Sequence, residues 1–356
     1  MKNVLSTTLS IQSGDDVNVE TWDHGLRLAD AFIYHLRELG AHPMLLFEHE
    51  EAFWKCAESL PEEKLGKVGQ HEWAAMEKAR GYIFIPGPAN FMKVWKNFSK
   101  FHAAVSYNQE WYERAKRYRL KVARIALGYA SRERARDSNM PFTAWQRMLL
   151  AASNVDFVAL KERVMKLANL LRNGQVKITA PNGTNLNLRL AGRDPYPADC
   201  IVDSDDLDHG RNVANIPGGN VLVCPDESYA EGNIVFDRPT AYMGKWINGI
   251  RFEFKNGELT EYRARLNEKV LKASYEKASG EKNKVAVLGI GLNPKVRTGF
   301  LQDNIAAGAI TVGIGGNDDV GGSNKTDFYF PGVITKASLS VDGNTIVKDG
   351  KVVLPP

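Results

Sequence analysis

The sequence predicts an α/β domain built on a parallel sheet, followed by a mixed, β-rich α+β domain. Two observations carry this. Strand, helix and strand patterns alternate within the first 50 residues, which calls for parallel strands joined by crossovers. Beyond residue 174 the apolar period changes to that of short strands separated by Asn-Gly turns. The expected division is 1–145 for the first domain and 146–356 for the second.

Residues 16–21 (DVNVET) alternate polar and apolar side chains as a half-buried strand does. Leu28, Ala31, Phe32, Leu36 and Leu39 then recur at helical spacing, and Gly40 supplies the stop. Residues 43–47 (PMLLF) read as a short buried strand, and residues 81–86 (GYIFIP) as another. Residues 121–127 return to the sheet, and the polar run 131–140 reads as a connection. Asp156 is placed to cap a long helix with apolar positions at Phe157, Leu160, Val164, Leu167, Leu170 and Leu171. Strands are expected at 175–179, 186–190, 220–223, 233–236, 249–254, 284–288, 309–313, 333–340 and 351–354, interrupted by a helix over 267–279.

Composition excludes several classes. The 46 basic and 42 acidic side chains leave a surplus of four, too small to imply a nucleic-acid partner. The densest basic run, residues 114–136, is interrupted by acids and apolar residues and reads as a solvated or interdomain face. No apolar stretch reaches membrane-span length, and the N-terminus has no apolar core of signal-peptide length. The cytoplasm is the expected location. Cys56, Cys200 and Cys224 are odd in number and far apart, so neither a disulfide framework nor a zinc knuckle is expected.

Four segments carry a family resemblance. Residues 155–190 give a helix, a strand, a P-x-G-T-x-L turn and a second strand, as the second domain opens in the aminopeptidase T (thermophilic leucyl aminopeptidase) family. Asn215-Ile216-Pro217-Gly218-Gly219-Asn220-Val221 resembles that family's N-x-P-x-G-E-V motif. Leu288-Gly289-Ile290-Gly291-Leu292-Asn293-Pro294 resembles E-L-G-I-G-x-N-P. Residues 303–315 and 324–334 resemble the two motifs that follow, D-E-K-x-x-G-T-x-H-x-A-L-G and N-x-S-D-x-H-x-D-x-x-I. The resemblance implies an aminopeptidase T-like fold, a homodimer, and two-metal hydrolysis in which carboxylates and imidazoles hold the cations. The ligand positions of those motifs fall on Asn220, Val287, Thr311, Tyr329 and Pro331, and all seven histidines lie at or before residue 209. No metal ligand is therefore assigned, and no cofactor is expected beyond a weakly held divalent ion.

Three functions stay open at this point. The first is metal-independent chemistry on a small-molecule or peptide-like ligand in the ancestral cavity. Its candidate catalytic groups are Tyr329, Asp327, Lys325 and His209, and its candidate ligand-binding groups Asn220, Thr311, Arg211 and Glu227. The second is a non-catalytic binding or scaffold protein. The third is a metal-dependent aminopeptidase with a rearranged carboxylate site, drawn from Asp226, Glu227, Glu231, Asp318, Asp319 and Asp327.

Overall fold

The computed structural model describes residues 1–354, with the side chain of Asp319 outside the description. The chain divides into two units. One comprises Met1–Phe157 and Cys200–Pro217, the other Val158–Asp199 and Gly218–Pro356. The chain thus changes unit three times, where the sequence suggested one boundary after residue 145.

The first unit is built on β1 (Asp16–Trp22), β2 (His42–Glu48), β3 (Gly81–Phe84), β4 (Lys121–Ile125) and β5 (Val213–Ile216). They form a five-stranded sheet in the order β2-β1-β3-β4-β5, and every pairing is parallel. Helix α1 (Leu26–Glu38) follows β1 and buries Ala29, Phe32 and Leu36. Helices α2 (Gln70–Lys78) and α3 (Asn108–Arg117) bring Trp73, Met76 and Ala115 into one cluster with Tyr82 of β3 and Val122 of β4.

Three expectations fail in this unit, each for a local reason. Residues 43–47 do form a strand, but β2 is the sheet edge, and Met44, Leu45 and Phe47 remain 40–46% exposed. The polar run 131–140 contains a helix, Arg132–Asp137, capped by the Ser131 hydroxyl accepting from the Arg134 amide. The basic run is not one solvated face. Arg134 is buried with its guanidinium 4.2 Å from the Phe91 ring and 4.6 Å from Tyr129, and burial brings its pKa down to about 10. Lys121 is also buried, within β4.

The second unit has two larger antiparallel sheets. One has eight strands running, in spatial order, Glu258–Arg263, Arg251–Lys255, Ala230–Val235, Asn185–Ala191, Asn173–Thr179, Ser338–Val341, Asn344–Lys348 and Lys351–Val352. The other contains β6 (Asn220–Val223), β7 (Val285–Gly291), β8 (Ile310–Gly315) and β9 (Tyr329–Ile334), with Tyr196–Ala198 at its edge, in the order β9-β8-β7-β6 and then the edge strand. Phe330 of β9 and Phe252 of the larger sheet meet edge to face at 6.0 Å, and Phe236 joins Phe252 at 5.2 Å. Aromatic pairs of this geometry add to the burial that holds the sheets together. The strand expected over 333–340 is two strands, β9 and Ser338–Val341, which lie in different sheets.

Candidate functional site

The site is assembled on one face of the antiparallel sheet. Asn220 pairs with Gly291, Leu222 with Gly289, and Gly289 in turn with Thr311. Val287 pairs with Gly313, Gly313 with Pro331, and Gly315 with Tyr329. Directly opposed residues in an antiparallel ladder share a face, and alternate residues along each strand do too. Asn220, Val287, Thr311, Tyr329 and Pro331 therefore project from the same side.

Glycines on that face make room. A Cβ at Gly313 would stand 2.9 Å from Tyr329 Cε2 and 3.0 Å from Val287 Cγ2, so the Tyr329 ring lies across the sheet above it. Beside the ring is a pocket of about 360 Å³ lined by Leu222, Val287, Asp318, Asp327, Phe328 and Tyr329, among others. Asn220 and Thr311 lie deeper, only 5% and 4% exposed. The Thr311 hydroxyl oxygen is buried without a hydrogen-bond partner among the described residues. A buried hydroxyl in that state costs about 1–3 kcal/mol. Thr311→Val, which keeps the shape and removes the hydroxyl, is expected to leave stability unchanged or raise it by about 1 kcal/mol. Chemical denaturation checks this, and a loss of stability would mean the hydroxyl is bonded.

The turns around the face are tied by buried asparagines and an aspartate. Asn293 Nδ2 donates to Gly218 O at 2.8 Å, while the Leu292 amide donates to Gly219 O at 2.7 Å. Two of the motif segments are thereby interlocked. Asp303 accepts from the Gly299 and Phe300 amides and from Arg238. Asn324 Nδ2 donates to Val285 O and Gly315 O. These motif residues shape backbone and leave their polar atoms inside the fold.

The sequence profile of the thermophilic metalloproteases (M29) matches residues 2–283. The chain belongs to this M29 family. The match ends just before β7, so three of the four strands that build the candidate face follow it. Aminopeptidase PepS from Streptococcus thermophilus is 29% identical over 133 residues, a stretch covering 37% of this chain and 29% of PepS. The alignment thus spans less than a third of that relative. Among solved structures, wild-type AmpT from Thermus thermophilus superposes with a TM-score of 0.75 at 18% identity, over 99% of this chain and 98% of AmpT. The 2,5-dihydroxypyridine dioxygenase of Pseudomonas putida KT2440 superposes with a TM-score of 0.63 at 14% identity, over 99% and 95%. At those identities the two structures establish the fold, which is that of aminopeptidase T.

Within this M29 frame the eight candidate residues separate. Asp327 and Tyr329 line the pocket, and Lys325 is exposed on the same segment. Glu227 does not line it. Both its oxygens are held by Arg193, at 2.5 and 2.6 Å, and Oε1 also accepts from Asn317 Nδ2 and the Ser323 amide. Burial pushes this carboxyl up, but the Arg193 guanidinium and the Ser323 amide outweigh it and bring the pKa down to about 2. His209 and Arg211 belong to the first unit. Arg211 binds Asp206 at 2.8 Å and Asp205 at 2.6 Å, and His209 Nδ1 meets the Asp205 carbonyl.

Of the carboxylates named for a rearranged metal site, Asp318 and Asp327 line the pocket, while Asp226, Glu227 and Glu231 are engaged elsewhere. Asp226 is bound by Arg189, Ser228 and the Ser228 amide, and Glu231 accepts from the Asn256 amide. Asp319 lies outside the described residues as a side chain. Among the described residues, one group of three acidic side chains has ligand atoms within 4.8 Å of one another, namely Asp203, Asp205 and Asp206. Asp203 and Asp206 form a capping box on the helix Ser204–Asp208, and Arg211 lies between Asp205 and Asp206. A guanidinium already supplies the positive charge there. Arg193 and Asn317 were missed in the sequence because they brace Glu227 across 34 and 90 residues, with no local pattern to betray them.

Proposed function

We propose that this chain is a metal-independent member of the M29 family that takes a small or peptide-like ligand in the pocket bounded by Asp327 and Tyr329. The observation that carries the reading is the side-chain chemistry of the sheet face. Its five motif-matched positions hold an amide, an isopropyl group, a hydroxyl, a phenol and a pyrrolidine ring. Divalent cations of the kind used in cocatalytic hydrolysis need carboxylate or imidazole donors at about 2 Å. This donor set does not fit a pair of them.

What the pocket does offer is the Tyr329 phenol as donor and two carboxylate acceptors, Asp327 two residues before it and Asp318 across the pocket lining. Tyr329 donates to a ligand oxygen, and Asp327 accepts from an amide or ammonium group. The pair can orient a polar ligand and exchange a proton with it without a cation. The apolar surface of Leu222, Val287 and Phe328 removes the ligand's hydrocarbon part from water. A homodimer and a cytoplasmic setting, both suggested by the sequence, belong to the same reading, and sedimentation equilibrium tests the first.

Elemental analysis of protein purified without chelators is expected to find less than about one transition-metal ion per chain. Leucine-arylamide hydrolysis is expected not to respond to chelators or to added zinc, cobalt or manganese. Stoichiometric metal, with hydrolysis abolished by a chelator and restored by the ion, would overturn the reading.

A further inference from the structure

The first unit contains a second pocket that the reading above does not use. It has a volume of about 310 Å³ and opens where β1, β2 and α2 meet. Its place in the topology is informative. β1 has β2 on one side and β3, β4 and β5 on the other, so the strand order reverses at β1. In this order the crevice beyond the carboxyl ends falls between β1 and β3, and the pocket lies beside it on the sheet face that carries Glu20, Leu46 and Tyr82. Glu20 lies near the carboxyl end of β1, and Glu48 is the last residue of β2.

The lining combines two chemistries. Trp73, Tyr82, Tyr107 and Trp111 supply aromatic walls, with Tyr82 and Trp111 edge to face at 5.2 Å. Glu20, Glu48 and Glu72 supply three carboxylates, and no lysine or arginine is among the lining residues. Glu20 is half-buried and accepts a hydrogen bond from the Tyr82 hydroxyl. Burial, opposed by that bond and reinforced by the charges of Glu48 and Glu72, pushes its carboxyl up to about 7.

His71 also lines the pocket, 3.8 Å from Glu72, and the arginines nearby have other partners. Arg114 lies over the Trp73 ring at 4.4 Å and is paired with Glu110. Arg124 lines an adjoining smaller pocket and is bonded to the Tyr129 hydroxyl. An aromatic box that holds Glu20 and Glu48 with no lysine or arginine in its lining is the arrangement that attracts an organic cation, through ring faces and counter-charge together.

We propose that this pocket binds a small organic ammonium ion, with Glu48 as the counter-charge, Glu20 as the carboxyl that ionises fully once the cation is seated, and Trp73, Tyr107 and Trp111 as the surrounding walls. The test is isothermal titration of the full chain with choline and with 3,3-dimethylbutan-1-ol, its uncharged isostere. Choline is expected to bind at least about tenfold more tightly than the alcohol. Glu48→Gln, at the exposed rim, is expected to weaken choline by about tenfold, and Trp111→Leu by a similar factor, while alcohol binding is unchanged by Glu48→Gln. Circular dichroism melting confirms that each variant is folded, and should Trp111→Leu fail to fold, Glu48→Gln decides alone. Equal affinity for choline and the alcohol would reduce the pocket to an apolar cleft and overturn the proposal. So would the absence of choline binding, or a calcium titration that binds where choline does not.

Discussion

Replacing Arg193 by alanine is expected to destabilise the second unit by about 3 kcal/mol near neutral pH, the cost of leaving a buried carboxylate without its partner. Glu227 is 9% exposed and depends on that guanidinium for two short bonds. The pH dependence identifies the cause. In the native protein the Arg193 guanidinium and the Ser323 amide bring the Glu227 carboxyl down to about 2, from 4.5 for an ordinary glutamate. A depressed carboxyl contributes its stability above the unfolded pKa and loses it as pH falls through the folded one. That window runs from about pH 4.5 down to about pH 2. In the variant, burial remains and the guanidinium is gone, so the carboxyl takes up its proton at higher pH. The gap between the two proteins should be widest near neutrality and narrow steadily on acidification. Urea unfolding across a pH series reads it directly, and a gap independent of pH would show that Arg193 acts by packing alone.

The second large effect is expected at Gly291. A Cβ there would come 2.1 Å from the Ala306 carbonyl oxygen and 2.7 Å from the Ile305 carbonyl carbon. Both are backbone atoms and cannot swing aside. Gly291→Ala should therefore cost about 3 kcal/mol, at the upper end of overpacking penalties. Gly289 is the built-in control. It lies two residues away on the same strand face, but its Cβ would meet the end of the Leu222 side chain at 2.7 Å. A side chain can turn, so Gly289→Ala should cost about 1 kcal/mol. Thermal unfolding of the two variants side by side tests the difference, and equal losses would mean that the approach of residues 305–306 to β7 is not rigid.

Much of this architecture was legible in the sequence because it depends on local pattern. The alternation over 16–21, the helical spacing after Leu26 and the apolar strands expected over 220–223, 284–288 and 309–313, observed at 220–223, 285–291 and 310–315, all report burial within one element. The motif segments were legible for a related reason. Asn293, Asp303 and Asn324 bond to backbone within the frame, so their identities track the turns they stabilise. The misreadings come from information that is not local. Whether residues 43–47 are covered depends on which strand ends up at the sheet edge. Whether Glu227 faces a ligand depends on Arg193, 34 residues earlier. His209 and Arg211 looked close to Asn220 along the chain, and the change of unit between Pro217 and Gly218 puts them in the first unit and Asn220 in the second.

That change of unit has a consequence for how the protein is made. The fifth strand of the parallel sheet, β5, is laid against β4 in register, Val122 with Val213 and Ile125 with Ile216. Between the two strands the chain leaves to build part of the other unit and returns. During synthesis each residue of β4 must therefore wait for its partner 91 residues later, as Val122 does for Val213, before the open edge is closed. Pairings of such separation form late and leave an unsatisfied edge in the interval. A chain cut after residue 145 or 157 would keep that edge open permanently. Nascent chains arrested before residue 216 should be more prone to aggregate than those arrested after it, so the moment of vulnerability is set by topology and not by the composition of either strand.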